Sequence, residues 1–301
     1  MMNILIYADK LDAIRELITA AASFDVAATP KVFAATDELA QEAASYAESY
    51  SAGNVPVQDA HSTAAAISQA ARALNCDVVM LLADRIGKDL AGHLAQATGA
   101  GALTGVTAFG QNHSAFRCAL GGAVVEESVI ESDAKIFAIA PKSFALAEQS
   151  ASSAAKIDIE ILQPSVVVKS VEPKAGGRAD VAAADVVIAV GCGFEDEADM
   201  AAVEQLAEKL NAAIGCTKPL ATDRKWFPED CIIGISGKTC RPSLAISIGI
   251  SGQVQYWAGI RDAGLAIAIN SDKNAAIVPM CDASVVMDGS AAVAELNSKL
   301  P

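Results

Sequence analysis

Short β-branched runs alternating with alanine-rich helical stretches constrain this chain more than any other feature. Val78-Val79-Met80-Leu81-Leu82 is a continuous apolar run of strand length, and so is Val186-Val187-Ile188-Ala189-Val190. Runs without polar alternation suit parallel strands covered by helices on both faces. Elsewhere the period changes. After a strand over Ile4–Tyr7, Leu11, Ile14 and Ile18 recur at helical spacing. Ser62 or Thr63 can cap a helix with Ile67, Ala70, Ala71 and Leu74 on its apolar face. Another helix is expected from about Gly87 to Ala97. Alternation of this kind predicts an α/β fold assembled from βαβ units.

The chain has 301 residues, long for a single core and sufficient for two domains. Apolar residues make up 52% and charged residues 19%, so a sizeable core can be buried. The pattern loosens over Gln149–Ala155 and again at Lys174-Ala175-Gly176-Gly177-Arg178. The second break is the better boundary, giving domains of residues 1–178 and 179–301. Past it the alternation restarts. The strand ending at Val190 meets Gly191-Cys192-Gly193, and a helix follows with Val203, Leu206, Ala207 and Leu210 on one face. The expected architecture is two domains, each a mostly parallel sheet flanked by helices, the C-terminal one Rossmann-like.

The net charge of −14 argues against nucleic acid as a partner, since that needs a cationic footprint. It leaves open an acidic face meeting a basic protein. The longest apolar runs are too short to span a bilayer, so no membrane insertion is expected. Met1-Met2-Asn3 leads into the first strand without a basic segment or cleavage site, and no signal peptide is expected. The seven cysteines are odd in number and none has C-x-x-C spacing. Neither a disulfide framework nor a zinc site is expected, and a reducing, cytoplasmic compartment fits. His61, His93 and His113 are scattered, and no nucleophile–base pair stands out. This points away from an enzyme with its own substrate.

Four motifs carry the candidate chemistry. Gly191-x-Gly193 after a strand lets backbone approach a phosphate, but no third glycine follows, so it is not the dinucleotide fingerprint and a plain turn explains it equally well. Gly234-Ile235-Ser236-Gly237-Lys238 has its glycines too close together for a Walker loop. In Ile248-Gly249-Ile250-Ser251-Gly252-Gln253-Val254-Gln255-Tyr256, small residues lie where a strand turns into a helix. Their exposed N–H groups suit an anion such as a pyrophosphate, and Gln253 and Gln255 can hydrogen-bond a heterocycle. A helix cap with solvated glutamines is the competing reading. Leu265–Ile269 is a further buried strand, ended by Asn270-Ser271-Asp272, where ligand contacts and turn chemistry are both adequate explanations.

Together, in this order and spacing, these motifs resemble the FAD domain of electron-transfer flavoprotein alpha subunits. That family shows a Gly-x-Thr/Ser-Gly-Lys loop, then Gly-Ile-Ser-Gly-x-Ile/Val-Gln-His, a strand ending Ala-Ile-Asn-x-Asp, and a later Asp, matched here by Asp288. Gly87-Lys88-Asp89 and Gly121-Gly122-Ala123 resemble its N-terminal domain. The resemblance implies an N-terminal domain that packs on a beta subunit and a C-terminal domain that holds FAD. It implies electron transfer between an acyl-CoA dehydrogenase-type flavoenzyme and a quinone-linked or other redox partner. The FAD site would comprise Cys192, Thr217, Lys218, Ile233, Gly234, Ile235, Ser236, Ser251, Gly252, Gln253, Val254, Gln255, Tyr256, Asn270 and Asp288. Ser236 would donate near the flavin N5, Ser251 to Gln255 would cradle the pyrophosphate and ribityl chain, and Asn270 and Asp288 would hold the adenosine side. Gly252-Gln253 and Asp272-Lys273-Asn274-Ala275 look closer to the anaerobic or Fix-type branch.

The chain departs from the family at Cys192, where Arg is usual, at Thr217-Lys218, where Ser-Arg is usual, and at Tyr256, where His is usual. Lysine lacks the planar fork of arginine, and tyrosine donates one hydrogen bond without becoming cationic. Weaker FAD binding or an altered one-electron potential is the expected consequence. A flavin-free structural subunit of the same descent, and a nucleotide-binding enzyme of another class, are the competing alternatives.

Overall fold

In a computed structural model of the chain, residues 2–172 and 179–301 are described. Strands and helices alternate as β1 (Ile4–Ala8), α1 (Leu11–Phe24), β2 (Lys31–Ala34), α2 (Asp37–Ala43), β3 (Glu48–Ser51), α3 (Ala60–Ala73), β4 (Val78–Leu82) and α4 (Arg85–Thr98). Then come β5 (Gly101–Phe109), β6 (Ala115–Ala119), β7 (Val124–Ser128), β8 (Lys135–Ile139) and β9 (Ala154–Lys156). The remainder is β10 (Val186–Val190), α5 (Met200–Leu210), β11 (Ala213–Cys216), α6 (Lys218–Thr222), β12 (Leu244–Ile248), α7 (Val254–Trp257), β13 (Leu265–Asn270), β14 (Ala283–Val286) and α8 (Gly289–Lys299). The chain divides into two compact units, Met1–Glu172 and Pro173–Pro301. The boundary expected after residue 178 falls on residues 173–178, which lie outside the described ones.

Unit 1 is a sheet in the order β7-β6-β5-β8-β4-β1-β2-β3-β9. Its pairs are parallel except that β6 is antiparallel to β5 and β7. β1 lies between β2 and β4. Its alternate residues face opposite layers, as the period of a strand requires. Ile4 and Ile6 pack with Ile14 and Leu17 of α1, while Leu5 and Tyr7 pack with Ile67 of α3 and Leu90 of α4. The cap of α3 differs from expectation. Asp59 caps it, one carboxylate oxygen accepting from the Ser62 N–H at 3.0 Å, while Ser62 and Thr63 are buried inside the first turn. The second Asp59 oxygen accepts from the Ser165 hydroxyl at 2.7 Å and the Val166 N–H at 3.1 Å. Farther along α3, Gln69 exchanges two hydrogen bonds with the backbone of Glu160. The chain after β9 is thereby strapped along α3.

Unit 2 is a wholly parallel sheet in the order β11-β10-β12-β13-β14. Ile188 and Val190 face α5 and α8, in a layer with Val203, Leu206 and Val293. Val187 and Ala189 face the other way, toward Ile250, Tyr256, Ile260 and Ile277. The chain leaves β10 to form β11 on one side and reaches β12 on the other. That reversal opens a crevice at the carboxyl ends of β10 and β12, where doubly wound sheets bind ligands.

Candidate functional site

A cleft of about 1090 Å³ occupies that crevice, just above the ~300–1,000 Å³ typical of small-molecule sites. Four segments of unit 2 build it: the turn after β10, the start of α6, the loop 232–238, and the turn from β12 into α7, with Asn270 and the chain after β13 closing one side. All the expected site residues line it except Val254, which is half exposed at the start of α7, and Asp288. Asp288 instead caps α8, accepting from the Ala291 N–H at 3.0 Å.

The loop 232–238 is closed by its own backbone. The Lys238 N–H donates to the Ile232 carbonyl at 2.8 Å, and the Gly234 N–H donates to the Lys238 carbonyl at 3.0 Å. Gly234 has φ +131°, and a Cβ there would collide with the Gln255 carbonyl oxygen. Ile233 and Gly234 are buried, while Ile235 and Ser236 project as exposed residues from the tip.

The turn after β12 has a second position that requires glycine. Gly252 has φ +89°, and its α-carbon packs on the backbone of Ile277, whose N–H donates to the Ser251 carbonyl at 3.1 Å. Among the described residues the N–H groups of Ser251, Gly252 and Gln253 have no hydrogen-bond partner. Consecutive unpaired N–H groups form an anion-binding concavity. α7 itself is a single turn, so these amides supply the attraction for an anion and the helix dipole expected from the sequence adds little.

Asn270 is tied into the turn. Its amide donates to the Ile250 carbonyl at 2.7 Å and its side-chain oxygen accepts from the Asp272 N–H at 2.9 Å. Thr217 precedes α6 without capping it, and among the described residues its buried hydroxyl has no partner. Lys218 and Cys192 are exposed on the cleft wall. Among the described residues lining the cleft, Lys218 is the one cation, and Asp223 and Asp272 supply the carboxylates. Tyr256 is 5% exposed, and its hydroxyl lies 2.7 Å from that of Ser247. Burial raises its phenol far above the usual range. The hydrogen bond that the sequence made available at Tyr256 is therefore engaged within the core of unit 2.

Pro219, Thr222 and Ala276 also line the cleft and were not anticipated. They carry no motif of their own; adjacency to Lys218 and to Asp272 is the signal that could have found them.

The cleft fits an extended, polar, anion-bearing cofactor on three counts: the amides at 251–253, glycines at contacts that a Cβ would fill, and the buried, unpartnered hydroxyl of Thr217, a residue of its wall. Comparison with known proteins agrees. The family model "Electron transfer flavoprotein FAD-binding domain" matches residues 180–261, and "Electron transfer flavoprotein domain" matches residues 11–165. The electron transfer flavoprotein subunit alpha of Mycobacterium leprae is 30% identical over 215 residues, covering 70% of this chain and 67% of that one. Protein FixB of Escherichia coli O7:K1 is 30% identical over 171 residues, 56% of this chain and 55% of that one. The mitochondrial alpha subunit of Oryza sativa subsp. indica is 39% identical over 124 residues, 41% of this chain and 34% of that one. The chain belongs to the electron transfer flavoprotein alpha family, and its second unit carries the family's FAD-binding domain. The aligned stretches span from about two thirds down to one third of these relatives' lengths. Among the described residues no helix is long and apolar enough to cross a membrane.

Proposed function

We propose that the protein is the FAD-holding subunit of a two-subunit electron carrier. Unit 1 would pack on an electron-transfer flavoprotein beta subunit. The pair would pass electrons between an acyl-CoA dehydrogenase-type flavoenzyme and a quinone-linked redox partner, in the cytoplasm. The observation that carries this reading is the convergence of the family's motif residues on one cleft at the switch point of unit 2. FAD, when bound, supplies the redox chemistry, and the protein binds, orients and tunes it.

The residues divide that work. The amides of Ser251, Gly252 and Gln253 would take the pyrophosphate. Ser236, Gln253 and Gln255, all exposed in the cleft, would hydrogen-bond the cofactor's polar edges. Thr217 would gain the partner it lacks. Lys218 would offset negative charge on the cofactor, while Cys192 adds no charge where the family usually has Arg. Asn270 would act by holding the Ile250 carbonyl and the turn at Asp272 in place. Asp288 would act indirectly, through the start of α8.

The test is the visible spectrum of the full chain co-expressed with a beta subunit, before and after incubation with FAD. One flavin per complex, retained through gel filtration, is the expected result. A complex that stays colourless and binds no FAD would overturn the reading in favour of a structural subunit.

A further inference from the structure

The anion-binding turn of unit 2 is held differently at its two ends. On the β12 side, the Gly249 N–H donates to the Ile269 carbonyl at 2.9 Å, the Asn270 amide to the Ile250 carbonyl at 2.7 Å and the Ile277 N–H to the Ser251 carbonyl at 3.1 Å. The end of β13 and the chain beyond it therefore fix the turn as far as Ser251. The far side runs into α7, a single turn over Val254–Trp257. One isolated turn has too few internal hydrogen bonds to hold its own shape, so α7 sits where its tertiary contacts place it. Gln255 and Tyr256 supply two of these. The Gln255 carbonyl accepts from the Ile235 N–H at 3.0 Å, beside the close approach of Gly234. The Tyr256 hydroxyl lies 2.7 Å from that of Ser247 on β12.

Ser247 is the odd residue of its strand. Leu244-Ala245-Ile246-Ser247-Ile248 is otherwise apolar, and Ser247 is 2% exposed and stands outside the set of residues lining the cleft. A buried hydroxyl is unfavourable unless it is bonded, and Tyr256 satisfies this one. The pair brackets residues 248–255, which hold the amides of Ser251, Gly252 and Gln253 and the exposed side chains of Gln253 and Gln255. It closes that segment as a clasp, with β12 entering and α7 leaving. Through the Gln255 carbonyl, the same clasp reaches the loop 232–238, whose tip carries Ser236.

We propose that Ser247 is a positioning residue for the cofactor site: by holding the Tyr256 hydroxyl it fixes α7, and with it the amides of Gly252 and Gln253 and the Gln255 carbonyl that anchors the loop bearing Ser236. The role rests on the reading of the cleft as an FAD site. A binding site loses apparent affinity in proportion to the time its supporting contacts leave it in the wrong geometry. The test is a fluorescence titration of FAD, with the visible circular dichroism of the bound flavin, on the full chain co-expressed with a beta subunit. Wild type, Ser247→Ala, Tyr256→Phe and the double variant are compared. Each single variant should raise the dissociation constant about three- to tenfold and alter the dichroism of the flavin bands. The double variant separates positioning from stability. Its stability should recover relative to the sum of the single losses, because no buried hydroxyl is left unpaired, while its FAD affinity stays at the single-variant level. Unchanged affinity and dichroism in Ser247→Ala would overturn the proposal, and a loss confined to Tyr256→Phe would assign Tyr256 a direct contact with the cofactor instead. Affinity that returns to the wild-type value in the double variant would reduce the pair to a structural role. A wild-type complex that binds no FAD would overturn the flavin reading itself, an outcome distinct from weakened binding in the variants alone.

Discussion

The hydroxyls of Tyr256 and Ser247 lie 2.7 Å apart in the core of unit 2, joining the helix that follows the cleft turn to the strand beneath it. Either variant alone, Tyr256→Phe or Ser247→Ala, leaves the other hydroxyl buried without its partner. Each should lower the stability of unit 2 by about 1–3 kcal/mol. The double variant should lose less than the sum of the two, because it removes both polar groups together. Urea unfolding of the four proteins measures this cycle. Strict additivity would mean that the pair contributes nothing.

Gly234 is the tightest point of the loop 232–238. Its φ of +131° disfavours any side chain, and an added Cβ would meet the Gln255 carbonyl oxygen, which already accepts from the Ile235 N–H at 3.0 Å. Gly234→Ala must separate the loop from α7. A loss of about 2 kcal/mol in stability is expected from strain and overpacking, with FAD affinity falling at least tenfold. Titration of FAD fluorescence against the complex provides the check, and unchanged affinity would show that the loop and α7 can move apart without cost to the cleft.

The strands at the two switch points were the most legible part of the sequence. Val78–Leu82 and Val186–Val190 are buried on both faces, so their composition alone marks them, and the structure has the same limits. The antiparallel extension β5-β6-β7 was not legible, because its residues are largely half-buried or exposed and lack a continuous apolar run. The cap of α3 was misplaced for a different reason: Ser62 and Thr63 are good capping types, but Asp59 begins the helix one turn earlier and also holds Ser165, a contact over a hundred residues away in sequence. In the site, glycine and serine at strand ends identified the cleft. The inward engagement of Tyr256 depends on Ser247 beneath it, which no local pattern reveals.

Asp59 should give unit 1 a distinct acid sensitivity. The Ser165 hydroxyl and the N–H of Ser62 hold its carboxyl well below the usual range. A carboxyl depressed in the folded state contributes stability that is present above its unfolded value of about 3.9 and is lost as pH falls through the folded value. Asp59→Asn can still cap α3, but it sets an amide donor against the donors of Ser165 and Val166. The variant should be less stable than wild type at neutral pH, and the gap should close as pH drops below about 4. Urea midpoints measured across that range decide it. A gap that persists unchanged in acid would mean that the charge on Asp59 does not matter.

Thr217 separates cofactor binding from folding. The residue lines the cleft, and its hydroxyl is buried with no partner among the described residues. Thr217→Val keeps the shape and removes the one polar atom. Without FAD, nothing is lost by this change and an unpaired group is removed, so the melting temperature should hold or rise. With FAD, a hydrogen bond worth about 0.5–1.5 kcal/mol is forfeited, and the dissociation constant should rise about three- to tenfold. The opposite pattern, a destabilised cofactor-free variant with unchanged FAD affinity, would assign the Thr217 hydroxyl to the internal structure of unit 2 and remove it from the cofactor site.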